Sequence, residues 1–237
     1  MLPFPLMKTI GLLGGMSWES TAEYYRLLNE LTRDRLGGLH SARCVLYSVD
    51  FAEIEQLQAR GRWAEAGEIL AAAAQRLEAA GADLVLICTN TMHKVADRVQ
   101  AGLSVPLLHL ADATADAVKT AGLTRIGLLG TAFTMEQEFY RGRLSAAGLD
   151  VRVPDADGRA LVHRVIYEEL CRGVVSGPSR AACRRVIADL VAAGAEGIVL
   201  GCTEIELLIG AADSPVPVFP TARIHAEAAV EAALSAH

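Results

Sequence analysis

Aromatic residues make up only 5% of this 237-residue chain, so its core has to be built from Ala, Val, Leu and Ile. Long apolar runs are absent too. No stretch comes near the ~18 uninterrupted apolar residues of a membrane span, and no membrane partner is expected. Basic charge is scarce: a net charge of -6 and a pI near 5.5 argue against nucleic-acid binding, which needs a basic stripe. The five cysteines, Cys44, Cys88, Cys171, Cys183 and Cys202, form an odd set with no CxxC pair. Neither a disulfide framework nor a zinc site is therefore expected. His109, His163 and His225 stand apart without metal-ligand spacing, so no metal is expected. "GLLGG" (11–15) lacks the glycine spacing that lets a pyrophosphate approach, which removes a dinucleotide cofactor. The opening "MLPFPLMKTI" has two prolines and no basic residue before its apolar patch, unlike a secretory leader. Met7 is an alternative start. The expected location is cytoplasmic, with the cysteines as free thiols.

What the chain does contain is a second copy of its own plan. "TIGLLGGMSWE" (9–19) returns as "RIGLLGTAFTME" (125–136), with Gly11 and Gly127 116 positions apart. "AAGADLVLICTNT" (79–91) returns as "AAGAEGIVLGCTEI" (192–205). "VPLLHLADATADAV" (105–118) returns more faintly as "VPVFPTARIHAEAAV" (216–230), with Pro106 and Pro217 111 positions apart. Three blocks in the same order imply two halves of one design. Within each half, short aliphatic runs such as "IGLLG", "DLVLIC" and "GIVLGC" read as buried parallel strands. Longer amphipathic segments between them read as helices. One opens at an N-cap Ser17, and another, "RWAEAGEILAAAAQRLEAAG", closes on Gly81. Repeated strand–helix alternation predicts an α/β fold of two pseudo-symmetric, Rossmann-like domains with parallel sheets. The expected boundaries are 7–106 plus 221–237 for the first domain and 107–220 for the second. Ligands in such folds sit at the carboxyl ends of the strands, where both Cys-Thr segments fall. Two similar sheets would put one segment on each side of a shared cleft.

The likeness of the two Cys-Thr pairs is deceptive by one residue. Aligned from Gly81 and Gly194 without a gap, Cys88 falls opposite Gly201, Thr89 opposite Cys202 and Asn90 opposite Thr203. Side chains alternate along a strand, so Cys202 and Thr89 should share one direction and Cys88 should face the core. Inverting a stereocentre beside a carboxylate needs a base on one face and an acid on the other. A cysteine titrating near ~8.5 and tunable lower by nearby dipoles suits that task. The amide N–H groups of the Thr-Asn-Thr and Gly-Cys-Thr turns can hold a carboxylate or a developing enolate-like charge. A threonine is a poor base and serves better as a proton donor.

Taken together and in order, "IGLLGGMSWEST", "CTNTMHKVAD", "LLGTAFTMEQEFYRGRL", "IYEEL" and "GCTEIELL" resemble the aspartate/glutamate racemase family, which uses no pyridoxal phosphate. The resemblance covers nearly the whole chain. It implies a fold of two similar α/β domains, a C-terminal helix that returns to the first, no cofactor, a homodimer and a small acidic amino acid as substrate. Most members carry a cysteine where Thr89 stands. The match is therefore closest to the branch specific for L-aspartate and L-glutamate, which also pairs Thr with Cys. The resemblance makes Thr89 and Cys202 the proton-transfer pair. It implies substrate contacts from Met16, Gln56, Asn90, Thr91, Thr131, Thr203 and Glu204. Some relatives grip the second carboxylate with a lysine in the second half, but no lysine follows Lys119 here. Arg164 and Arg172 are the candidate substitutes, and a solvated helix face is the competing account of both.

Blander readings stand beside these. Cys202 could be a buried strand-end thiol, Thr89 a strand-end hydroxyl bonded to backbone, Asn90 could be turn chemistry, and Glu204 could cap the following helix. His93, Lys94 and Asp97 read as surface. Three functions compete: a racemase of aspartate and/or glutamate, a related decarboxylase or isomerase of a small dicarboxylate, and a silent dicarboxylate-binding protein.

Overall fold

The computed structural model describes residues 7–235; the expectation of no leader in residues 1–6 lies outside them. The chain divides into two compact units. One runs to His109 and resumes at His225; the other is Leu110–Ile224.

The first unit opens with β1 (Ile10–Gly14), α1 (Trp18–Leu36) and β2 (Cys44–Ser48). It continues through α2 (Phe51–Ala59), α3 (Trp63–Ala79) and β3 (Leu84–Ile87). A 3₁₀ turn (Thr91–Val95), α4 (Ala96–Ala101) and β4 (Leu107–Leu108) follow. The second unit repeats the sequence of elements with α5 (Leu110–Thr120), β5 (Arg125–Gly130), α6 (Ala132–Glu136), α7 (Glu138–Ala146) and β6 (Asp150–Arg152). Then come α8 (Ala156–Arg164), α9 (Gly177–Ala192), β7 (Gly197–Gly201) and β8 (Val218–Pro220). α10 (Thr221–Leu234) follows, and from His225 onward it belongs to the first unit.

Both sheets are wholly parallel, in the orders β2-β1-β3-β4 and β6-β5-β7-β8. The alternation read from the sequence thus yields the α/β class it implies. The start signals hold as well. Ser17 caps α1 by accepting from Ser20 N, and Gly81 follows α3 at φ +95°, a conformation that costs glycine little. Its counterpart Gly194 adopts φ +100°.

Strand registers test the internal repeat atom by atom. In the first sheet Ile10 pairs with Leu84 and Leu13 with Ile87; in the second, Ile126 pairs with Gly197 and Leu129 with Leu200. Since Ile10 matches Ile126 at the 116-residue offset, Leu84 matches Gly197, an offset of 113. That is also the offset from Gly81 to Gly194, so no gap intervenes. β4 and β8 keep the 111-residue offset through the pairs Val85–Leu107 and Ile198–Val218.

Each core is aliphatic, as the scarcity of rings requires. Leu13, Val85 and Ile87 pack with Leu70, Leu77 and Val99 in the first unit. Ile198, Leu200 and Cys202 pack with Val162, Ile187 and Leu190 in the second, while Leu128 and Val199 join a cluster with Leu110 and Tyr140. Burying each such side chain contributes about 1.5–3 kcal/mol. Among the described residues no helix is long and apolar enough to cross a membrane.

Candidate functional site

In the first unit, β1 and β3 are hydrogen-bonded neighbours, so their carboxyl ends deliver two loops to one edge. Gly14–Ser17 leaves β1, and Cys88–Thr91 leaves β3 with Cys88 N donating to Leu13 O at 2.9 Å. Thr21 Oγ1 ties the first loop to α1 by accepting from Gly15 N at 2.8 Å and donating to Ser17 O at 2.9 Å. The second loop is held by its carbonyls. Ser20 Oγ donates to Cys88 O at 2.7 Å, and His93 Nδ1 donates to Thr89 O at 2.7 Å.

Cys88 is fully buried. Burial, with a smaller contribution from Cys44, pushes its thiol far above the ordinary range, so it stays an inert core group. Thr89 is partly exposed, whereas Asn90 and Thr91 are buried. Met16 is buried in the aliphatic core of this unit. Gln56 lies exposed on α2; the buried glutamine of that helix is Gln58, whose amide donates to Met92 Sδ at 2.9 Å.

The second unit builds the equivalent edge from β5 and β7, whose last residues Gly130 and Gly201 pair. A Cβ on Gly201 would sit 2.9 Å from Leu128 Cδ1 and 3.1 Å from both Leu129 O and Thr134 Cγ2. The slot that Cys88 fills in the first unit is therefore tight here, and a side chain would need its neighbours to shift. Cys202 comes next and packs in the same cluster as Ile198 and Leu200, as Val85 and Ile87 share one cluster in the first unit. Its Sγ donates to Glu204 Oε2 at 3.0 Å, with both residues under a tenth exposed. Burial, then the Glu204 carboxylate and its hydrogen bond, raise the Cys202 thiol well above its ordinary value, against a smaller pull from the Glu204 N–H. A thiolate poised by lowered pKa is not what the turn provides: Cys202 rests protonated, because a dry anionic neighbour penalises a second anion.

Thr131, after β5, caps α6 by accepting from Thr134 N at 3.3 Å, and Ala132 N donates to His163 Nδ1 at 3.2 Å. Thr203 is buried at the start of the 3₁₀ turn Glu204–Leu207. The carboxylate that serves a helix start is Glu206, which accepts from Ala222 N at 3.0 Å, while Glu204 engages the thiol. Arg164 and Arg172 are exposed. No group of three potential metal ligands converges among the described residues.

One expectation needs correction. His93 does not lie on the surface: it is 3% exposed and packs into a cluster with His109 (ring centroids 4.6 Å apart) and His225 (5.7 Å). Tyr24 Oη lies 2.8 Å from His225 Nδ1, and His225 Nε2 donates to Leu108 O at 2.9 Å. A carbonyl only accepts, so Nε2 carries the proton; burial, with His93 beside it, lowers the His225 pKa to about 3 and keeps the ring neutral. Nδ1 is then the acceptor for Tyr24. The surface reading failed because it placed His93 on a regular helix, whereas the 3₁₀ turn swings it back beneath Thr89. Its spacing of four residues from Thr89 was the available signal. Lys94 does stand nearer solvent, with its ammonium over the Trp63 ring.

The chain matches the Asp/Glu/Hydantoin racemase family over residues 13–229. It is similar to the crystal structure of a Yersinia pestis protein named after the Asp/Glu racemases, with 57% identity, a TM-score of 0.91, and coverage of 97% of this chain and 100% of that one. An aspartate racemase homologue from Pyrococcus horikoshii OT3 is 36% identical at a TM-score of 0.86, with 97% and 100% covered. The Picrophilus torridus aspartate racemase shares the fold at 23% identity and a TM-score of 0.72, with 95% and 94% covered.

Proposed function

The chain belongs to the Asp/Glu/hydantoin racemase family, and from that premise we propose that it interconverts the enantiomers of aspartate, glutamate or both by exchanging the α-proton between Cys202 and Thr89. It is a racemase of the pyridoxal-phosphate-independent kind. The observation that carries the assignment of the pair is the common strand register, which makes Thr89 the counterpart of Cys202 at the carboxyl end of each central strand.

The chemistry starts from a protonated Cys202. For Sγ to take the Cα proton, its own proton first passes to Glu204 Oε2, 3.0 Å away. The thiolate then removes the Cα proton and the electron pair stays on the substrate as an enolate-like anion. Thr89 delivers its hydroxyl proton to the opposite face. Water restores the Thr89 hydroxyl and receives the proton held by Glu204, so the net change is inversion alone. Amide N–H groups of the 88–91 and 201–204 turns, with Asn90, Thr91, Thr131 and Thr203, hold the carboxylates. Met16 lines the site, and Gln56, exposed on α2, is a further contact in this reading. Because enantiomers have equal free energy, kcat/KM must match in the two directions. The chemical inequality of thiol and hydroxyl therefore shows in kcat and KM taken separately.

Proton NMR of L- and D-aspartate and L- and D-glutamate in D₂O tests the reading. Loss of the Cα–H signal with loss of optical rotation supports it. Carbon dioxide release from a malonate without racemisation would instead support a decarboxylase, and thermal stabilisation by aspartate with neither reaction would support a silent binder. The same reading carries a cytoplasmic homodimer. Trp18 and Tyr25, both exposed and two turns apart on α1, are the candidate contact, and light scattering of the purified chain and of a Trp18→Ala/Tyr25→Ala variant tests it.

A further inference from the structure

The first unit spends four buried polar rings on a place where the proton chemistry uses none of them. Tyr24, His93, His109 and His225 are each less than a tenth exposed, and burying polar groups is costly unless each earns a hydrogen bond. Their bonds run in one direction. Tyr24 engages His225 Nδ1, His225 Nε2 holds Leu108 O at the end of β4, and His93, packed against His225 and His109, holds Thr89 O at 2.7 Å. On the neighbouring peptide, Ser20 Oγ holds Cys88 O at 2.7 Å.

Two successive carbonyls at the end of β3 are thus anchored by side chains from different elements. A trans peptide points its N–H opposite to its C=O. Anchoring Cys88 O therefore sets the direction of Thr89 N–H, and anchoring Thr89 O sets that of Asn90 N–H. Between these two planes lies only the Thr89 Cα, so the direction of its Cα–Cβ bond is set as well. We infer that His93 is a positioning residue, held by the buried ring cluster, which directs the Thr89 side chain and the N–H groups of Thr89 and Asn90 at the substrate. This inference rests on the assignment of Thr89 to the site, and it has His93 act through Thr89 rather than on the substrate itself. The second unit differs at this place: Gly201 stands where Cys88 does, and a Cβ on its pairing partner Gly130 would lie only 2.7 Å from Gly201 O.

The test compares wild type with His93→Leu, which removes the donor, and His93→Gln, which returns an N–H to the same carbonyl. Ser20→Ala serves as a second probe from the other peptide. Racemisation kinetics, calorimetric binding of L-aspartate and L-glutamate, and melting temperature are read for each. Displacement of a positioned group by about an ångström costs on the order of a hundredfold in rate, so His93→Leu is expected to lose about that in kcat/KM. His93→Gln should recover to within about tenfold of wild type, although both variants melt at similar temperatures. Ser20→Ala should fall between them. Equal losses in the Leu and Gln variants that track melting temperature would reduce His93 to a structural role and overturn the inference. So would a folded His93→Leu with wild-type kinetics. If His93→Leu does not fold, the Gln and Ser20→Ala variants decide. A wild type that neither racemises nor binds either amino acid overturns the functional reading and this one with it. A wild type that binds without turnover leaves affinity as the readout, where an unchanged Kd in His93→Leu overturns the inference alone.

Discussion

The ends of β3 and β7 occupy the same station in two copies of one sheet, yet they are stabilised by opposite means. At the end of β7 the backbone comes close to its neighbours because Gly201 has no side chain, and the next residue, Cys202, meets a carboxylate two positions on. At the end of β3 the equivalent of Gly201 is a buried cysteine, and Ser20 and His93 hold the backbone through its carbonyls. One turn carries an ionisable thiol–carboxylate pair. The other carries a hydroxyl whose own backbone carbonyl is held by the buried His93 imidazole. Equivalent position therefore does not mean equivalent chemistry, and substitutions can separate the two.

The largest effect is expected from Cys202→Ala. It should cut racemisation by at least about a thousandfold with an unchanged melting temperature, and a variant retaining more than about a tenth of the rate removes Cys202 from the mechanism. Glu204→Gln comes next, with a loss of about a hundredfold in kcat, the scale of a general acid–base partner. Because the carboxylate raises the Cys202 thiol, alkylation of Cys202 in this variant should begin at lower pH than in wild type. An unshifted alkylation profile would show that burial alone sets the thiol. Thr89→Cys makes the two turns chemically alike. Racemisation should be kept or raised, and a fall of more than about tenfold would mean that the register equivalence does not extend to function.

Acid titration probes the other half of the comparison. The pKa of His225 is depressed from 6.5 to about 3 in the folded chain, so between those values the unfolded chain binds the extra proton. Stability from this group is complete above 6.5 and is lost as pH falls toward 3, with a slope of about 1.4 kcal/mol per pH unit for one proton. Urea midpoints measured across that range should show the slope, and His225→Phe should flatten it. The smallest change in rate is expected from Cys88→Ser, less than about twofold, with stability lower by about 1–3 kcal/mol for a buried hydroxyl. A large loss of activity from this variant would show that the reactive side of the turn had been placed one residue too late.

Much of this was readable from the chain itself. Counting from Gly81 and Gly194 distinguished Thr89 from Cys88, since a strand's two-residue period turns a shift of one into a change of face, and the paired strands keep that count. Ser17 announced α1 by its capping chemistry. His93 was misplaced because a helical wheel assumes a regular helix, and a 3₁₀ turn rotates its residues differently. The role of Glu204 stayed open between a helix cap and a substrate contact, because a carboxylate just after a strand-end Cys-Thr pair fits both. Only the path of the backbone assigned the thiol to Glu204 and the helix to Glu206.

The sequence by itself determined the duplicated α/β plan, the aliphatic cores and which residues of each half follow the end of its central strand, because periodicity and spacing are local properties of the chain. Tertiary structure alone decided the protonation of Cys202 and the burial of His93 and His225. Those depend on what is packed around each group and how much water is excluded, and residues as far apart as Tyr24 and His225 have to meet before either is defined.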